Sequence, residues 1–132
     1  MTAVTHPGEL LELIDPRLDE LTASRVTGSI AADARHHQPW GIVHGGLYTA
    51  AIETFATLGA YEAVKDLGQQ AVGVHNATDF LRPHRSGRLE VLATAIQQGR
   101  TQQLWQVEIR RADDRKLVAR GQVRLQNIEA PA

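Results

Sequence analysis

The chain has no cysteine, which excludes disulfides, thiolate metal ligands and a cysteine nucleophile. That fits a reducing compartment. No apolar run approaches the roughly 20 residues that span a bilayer. Residues 1–15 show no basic start followed by an apolar stretch, so no signal peptide is expected. A cytoplasmic protein with no membrane contact is the expectation. Net charge is nearly absent too, at −1, so no global field calls for nucleic acid. Repeats, linkers and low-complexity tracts are missing. The 132 residues, 42% of them hydrophobic, suit one domain spanning 1–132, large enough to bury a core.

Charge is unevenly spread. Residues 1–81 hold four Lys/Arg against ten Asp/Glu, whereas residues 82–124 hold ten against four. Such a basic half suits either a solvated sheet surface or the phosphates of an anionic ligand.

Two kinds of periodicity divide the chain. Within an N-terminal extension, 1–17, a short amphipathic helix follows Pro7, with Leu10, Leu11, Leu13 and Ile14 as its apolar side, and stops before Pro16. Residues 24–32 read as a strand, and residues 34–46 as a loop rich in His, Gln, Pro and Gly. Three- and four-residue spacing of Leu47, Ala50, Ala51, Thr54, Leu58 and Tyr61 predicts a helix over 46–67. Its alanine and threonine content predicts burial nearly all round. Beyond it the period is two. Val72, Val74, Asn76, Thr78 and Phe80 share one predicted strand face, and further strands follow over 89–97, 103–111 and 117–126. The short links are hairpin lengths, so the expected fold is α+β: one long helix against a mainly antiparallel sheet of five to six strands.

Between Gly45 and Tyr61 the only formally charged side chain is Glu53. No Lys or Arg stands three or four residues away to pair with it, and a dry carboxylate must be paired or shifted in pKa. A helix-surface glutamate is the plainer reading. Thr57, one turn later, places a hydroxyl on the same side. Upstream, His44-Gly45-Gly46 opens the helix, where free N–H groups and the positive end of the dipole can stabilise an oxyanion. Trp40, Tyr48, Phe55 and Phe80 could line an aromatic pocket, although such residues usually form core. His36 and His37 are adjacent and diverge, and no H-E-x-x-H is present, so no metal site is expected.

The run Gln38-Pro39-Trp40-Gly41-Ile42-Val43-His44-Gly45-Gly46, followed by Glu53 and Thr57, resembles the hotdog-fold thioesterases of the 4-hydroxybenzoyl-CoA branch. It is most similar to the 1,4-dihydroxy-2-naphthoyl-CoA thioesterase type. The likeness continues through Val72-Gly73-Val74, Asp79-Phe80-Leu81-Arg82-Pro83 and Arg85-Ser86-Gly87-Arg88, covering roughly residues 24–126. It implies hydrolysis of an acyl- or aroyl-CoA, with no cofactor beyond the coenzyme A of the substrate. Gln38 and the Gly45 amide would bind the thioester carbonyl, His44 would help position it, and Gly46 would line the same site. Glu53 would act as nucleophile or general base, supported by Thr57. Arg82, Arg85, Ser86 and Arg88 would meet the phosphates, Arg82 and Arg85 foremost. Phe80 stands where some relatives carry a polar residue near the acyl group. The resemblance also implies a homodimer with shared sites, arranged as a dimer of dimers.

A hotdog hydratase or dehydratase is one alternative, but it needs an acid/base pair around the acyl Cα–Cβ bond and the helix offers Glu53 alone. A non-catalytic acyl-CoA-binding module is another, and it would not require Gln38, Glu53 and Thr57 together.

Overall fold

The alternation of the second half becomes the centre of a six-stranded antiparallel sheet, in a computed structural model that describes residues 8–131. In chain order the elements are α1 (Glu9–Ile14), β1 (Arg17–Leu21), β2 (Arg25–Ala32), a 3₁₀ turn (Ala34–His36) and α2 (Gly45–Val64). A second 3₁₀ turn (Lys65–Leu67) leads into β3 (Gln69–Phe80), β4 (Gly87–Gln98), β5 (Gln102–Arg111) and β6 (Leu117–Glu129). The sheet order is β1-β2-β4-β5-β6-β3, and it wraps around α2. This is the hotdog architecture. β1 has no counterpart in the sequence reading, because all five of its residues are exposed and no alternation marks it.

One core joins helix and sheet. Leu89, Val91 and Ala93 from β4, Trp105, Val107 and Ile109 from β5, and Val123 and Leu125 from β6 are buried. Each large side chain so buried contributes roughly 1.5–3 kcal/mol. They pack on Tyr48, Ile52, Phe55, Ala56 and Ala60 of α2.

Two expectations need correction. The stripe on α2 is displaced: Ala50, Thr54, Leu58 and Tyr61 are only half-buried, and Glu53 is exposed, so the helix is not buried all round. The reason is that its two sides are about equally rich in alanine and leucine. The sheet takes the side that carries the larger Ile52 and Phe55. The second correction concerns β3, whose register against β6 shifts between Gly73 and His75. The extra residue of this bulge reverses the alternation. Ala71 and Gly73 face α2 before it, and Asn76 and Thr78 after it. Val72 and Val74 therefore do not share the face of Asn76, Thr78 and Phe80; they stand 39% and 55% exposed. β3, of 12 residues, is also an edge strand: among the described residues it pairs with β6 alone and its other edge is bare. Among the described residues no helix is long and apolar enough to cross a membrane.

Candidate active site

The loop before α2 is shaped by its own hydrogen bonds. Asp33 caps the 3₁₀ turn through the Arg35 N–H. The Arg35 side chain and that N–H hold its carboxyl at about 2, below the usual carboxylate range. The buried His36 accepts from the Asp33 N–H at Nδ1, and its Nε2 donates to the Leu13 carbonyl at 2.7 Å, pinning the end of α1. Residues 36–38 then zip against 42–44: the Gln38 N–H donates to the Ile42 carbonyl at 2.8 Å and the His44 N–H to the His36 carbonyl at 2.7 Å. Gly41 closes the turn at φ 78, a conformation in which a side chain would be strained.

This hairpin brings Gln38 beside the N-terminus of α2. The Gln38 Oε1 accepts from the Trp40 N–H, leaving the side-chain NH₂ to donate elsewhere. His44 is the N-cap, its Nδ1 accepting from the Gly46 N–H at 2.7 Å, so Nε2 carries the proton of the neutral ring. The Gly46 N–H is thereby taken. The Gly45 N–H has no acceptor among the described residues. Gln38, Gly45, Tyr48, Phe80, Arg82 and Pro83 border one cavity of about 440 Å³. Phe80 lies against Gly45 so closely that a Cβ there would meet its ring at 3.0 Å.

Glu53 opens elsewhere. It lines a separate cavity of about 380 Å³ with Thr57, Leu58 and, from α1, Leu10, Leu11 and Ile14. Its carboxylate makes no hydrogen bond or ion pair with any described residue and lies over Gly73, where a Cβ would come within 3.3 Å of its Cδ. Thr57 shares the cavity without bonding to the carboxylate. Eight residues separate Gly45 from Glu53, or roughly 12 Å along the axis at 1.5 Å per residue. One chain therefore keeps two groups apart: a free amide at the helix start, and a carboxylate two turns on.

The cations divide as well. Arg82 stands at the rim of the Gln38 cavity and donates to the Leu117 carbonyl at 2.8 Å. Arg85 donates to the Gly41 carbonyl at 3.2 Å while its own carbonyl meets His37 Nε2 at 2.6 Å, which ties the basic turn to the loop. Ser86 is exposed beside it. Arg88 alternates with the core-facing Leu89, so it points to the sheet face away from α2 and lines a groove there with Arg25, Glu90, Arg110 and Arg115. It lines neither the Gln38 cavity nor the Glu53 cavity.

Of the four aromatics, Trp40 is 81% exposed, Phe55 is fully buried core, and only Tyr48 and Phe80 line the cavity, with ring centroids 6.3 Å apart. Two features escape the sequence reading. The Tyr48 hydroxyl is buried with no hydrogen-bond partner among the described residues, and desolvation pushes its pKa up to about 12. The only hint was a polar tip in the alanine-rich helix. The other is α1 as a wall of the Glu53 cavity, which no local pattern announces.

Comparison with known proteins gives this geometry a family. The thioesterase superfamily profile matches residues 41–118. The Mycobacterium tuberculosis protein Rv1847 is 49% identical over 92 residues, which is 68% of this chain and 65% of that protein. The match thus spans just under two thirds of the length of that relative. Its solved structure superposes with a TM-score of 0.85 at 40% identity, covering 92% of this chain and 96% of that one. The 1,4-dihydroxy-2-naphthoyl-CoA hydrolase of Escherichia coli is 26% identical over 102 residues, covering 77% of this chain and 74% of that protein. A Haemophilus influenzae thioesterase structure superposes at a TM-score of 0.84 with 28% identity, covering 93% and 85% of the two chains. The chain belongs to the thioesterase superfamily.

Proposed function

We propose that the protein hydrolyses an acyl- or aroyl-CoA thioester to the free acid and coenzyme A, within the 4-hydroxybenzoyl-CoA branch of the superfamily. One observation carries this reading: among the described residues, α2 presents an amide at Gly45 with no acceptor, beside the Gln38 side-chain NH₂, and a carboxylate at Glu53 with no partner. The two amides polarise the thioester carbonyl and stabilise the oxyanion. Glu53 attacks the carbonyl carbon or takes a proton from the attacking water, with the Thr57 hydroxyl holding that water. His44 and Gly46 line a different cavity, with Leu10 and Ile14, so the part of His44 is to cap α2 and fix the Gly45 amide beside Gln38. The test is release of free thiol from a panel of acyl- and aroyl-CoAs, read with a thiol reagent. A folded protein that binds acyl-CoA but releases no thiol from any member would contradict hydrolysis.

The attacker must come within about 3–3.5 Å of the carbonyl carbon, so a complete site needs two chains. An isologous dimer supplies them when a two-fold axis sets one chain's Glu53 against its partner's Gly45. The bare edge of β3, with Val72 and Val74 exposed, offers the surface for that pairing. A dimer of dimers is the assembly this branch implies.

Arg82 and Arg85 are the phosphate ligands in this reading, because both stand on the Gln38 side. Replacing both with alanine raises KM for acyl-CoA and leaves turnover of small thioesters lacking the nucleotide unchanged. Equal losses on both substrates would assign the arginines to folding or to the reacting centre instead.

A further inference from the structure

Both cavities carry apolar side chains, but the Gln38 cavity has a cation at its rim and the Glu53 cavity has none among the described residues, and a thioester has two unlike arms. The Gln38 cavity has Arg82 at its rim and the tied Arg85 nearby. The Glu53 cavity is walled by Leu10, Leu11 and Ile14 of α1 and Leu58 of α2. Its polar content is small. The Thr54 hydroxyl is already spent on the Ala50 carbonyl at 2.7 Å. Glu53 and Thr57 remain, and both are assigned to the reacting centre. At about 380 Å³ the cavity falls within the roughly 300–1,000 Å³ of small-molecule sites. α1 is held in place by the buried Ile14 and by the His36 bond to the Leu13 carbonyl, yet it leaves Leu10 63% exposed. A six-residue helix with so exposed an apolar flank stabilises little by its own packing. It does complete a pocket.

We propose that α1, which lies outside the 41–118 stretch matched by the superfamily profile, is the acyl-selecting element of the enzyme. It forms one wall of an apolar acyl subsite beside the Glu53 of its own chain. This rests on the hydrolase reading above. When the carbonyl carbon sits at Glu53, the anionic nucleotide arm leaves toward Arg82. The acyl arm enters between α1 and Leu58, where apolar surface leaves water. The substrate class is a CoA thioester of an apolar acyl group, alkyl or unsubstituted aryl. Among the side chains of the described residues that line it, Glu53 and Thr57 are the donors and acceptors left, so a hydroxylated acyl group is disfavoured.

The test uses Leu11→Trp and Leu58→Phe, which fill the cavity from two different elements. Affinity is measured for a series of uncleavable S-alkyl-CoA thioethers, and hydrolysis for the matching acyl-CoAs. Wild-type affinity should rise with alkyl length, and both variants should abolish that rise. For the long acyl-CoAs kcat/KM should fall at least about tenfold, the scale of one misplaced methylene in an apolar pocket, with acetyl-CoA little changed. Thermal unfolding of each variant separates misfolding from filling, and Leu10→Ser, at an exposed position, gives a third reading with no added bulk: weaker binding of long chains. Equal losses on short and long chains would overturn the proposal, as would no effect on either. So would a length profile that responds to Phe80→Ala instead, which would reverse the two arms, or a preference above tenfold for hydroxybenzoyl- over benzoyl-CoA. Length-dependent binding without thiol release would leave the subsite standing and overturn hydrolysis.

Discussion

Glu53→Ala lowers kcat by at least about a hundredfold, the scale on which a positioned acid, base or nucleophile acts. The structure makes this change clean. Glu53 is exposed and unpaired, so alanine removes no ion pair, opens no core cavity and leaves no buried partner unsatisfied. Alanine is also the best helix former. Unfolding should therefore shift little, and binding of an uncleavable CoA thioether should persist. Steady-state hydrolysis beside a melting curve reads both. Near-normal turnover by the folded variant would remove Glu53 from the mechanism.

The largest stability effect belongs to Trp105. Its ring is fully buried and fits against Gly59 so tightly that a Cβ on that glycine would meet Cη2 at 2.3 Å. Its indole N–H donates to Gln103 Oε1 at 2.9 Å. Gln103 is itself buried and also bonds to Asn127 and the Ala60 carbonyl. This contact seats the C-terminal half of α2 on β5. Trp105→Ala leaves a void beside a residue with no side chain to fill it, and costs about 3–5 kcal/mol. Against a total stability of about 5–15 kcal/mol, Tm falls by about 10 °C or more. Urea or thermal unfolding checks it. A loss below about 1 kcal/mol would mean that the helix is not anchored there.

The elements legible in the sequence were those whose neighbours lie within the same hairpin. Trp105, Val107 and Ile109 alternate because one face of β5 is core, and that alternation is local. The face of α2 was not legible, since Leu58 and Ala50 are as apolar as Ile52 and Ala51, and only the sheet decides between them. The bulge at Val74 was hidden for a similar reason: it is a property of pairing with β6. At the site, the loop from Gln38 to Gly46 was legible as one run because its residues act through neighbouring backbone. Thr57 and Glu53 sit one turn apart, as their spacing requires. Arg88 was grouped with Arg82 and Arg85 by proximity in sequence, and strand alternation sends it to the opposite sheet face. α1 contributes across 40 or so residues of intervening chain, a distance that no window of periodicity spans.

In the proposed dimer each site takes its amide donors from one chain and its carboxylate from the other. Gln38→Ala and Glu53→Ala proteins, each inactive alone, are unfolded and refolded together, one carrying a mass tag. With statistical exchange half the dimers are mixed and each has one intact site. About a quarter of wild-type hydrolysis should then return; mixed dimers seen by mass with no activity regained would rule out a shared site.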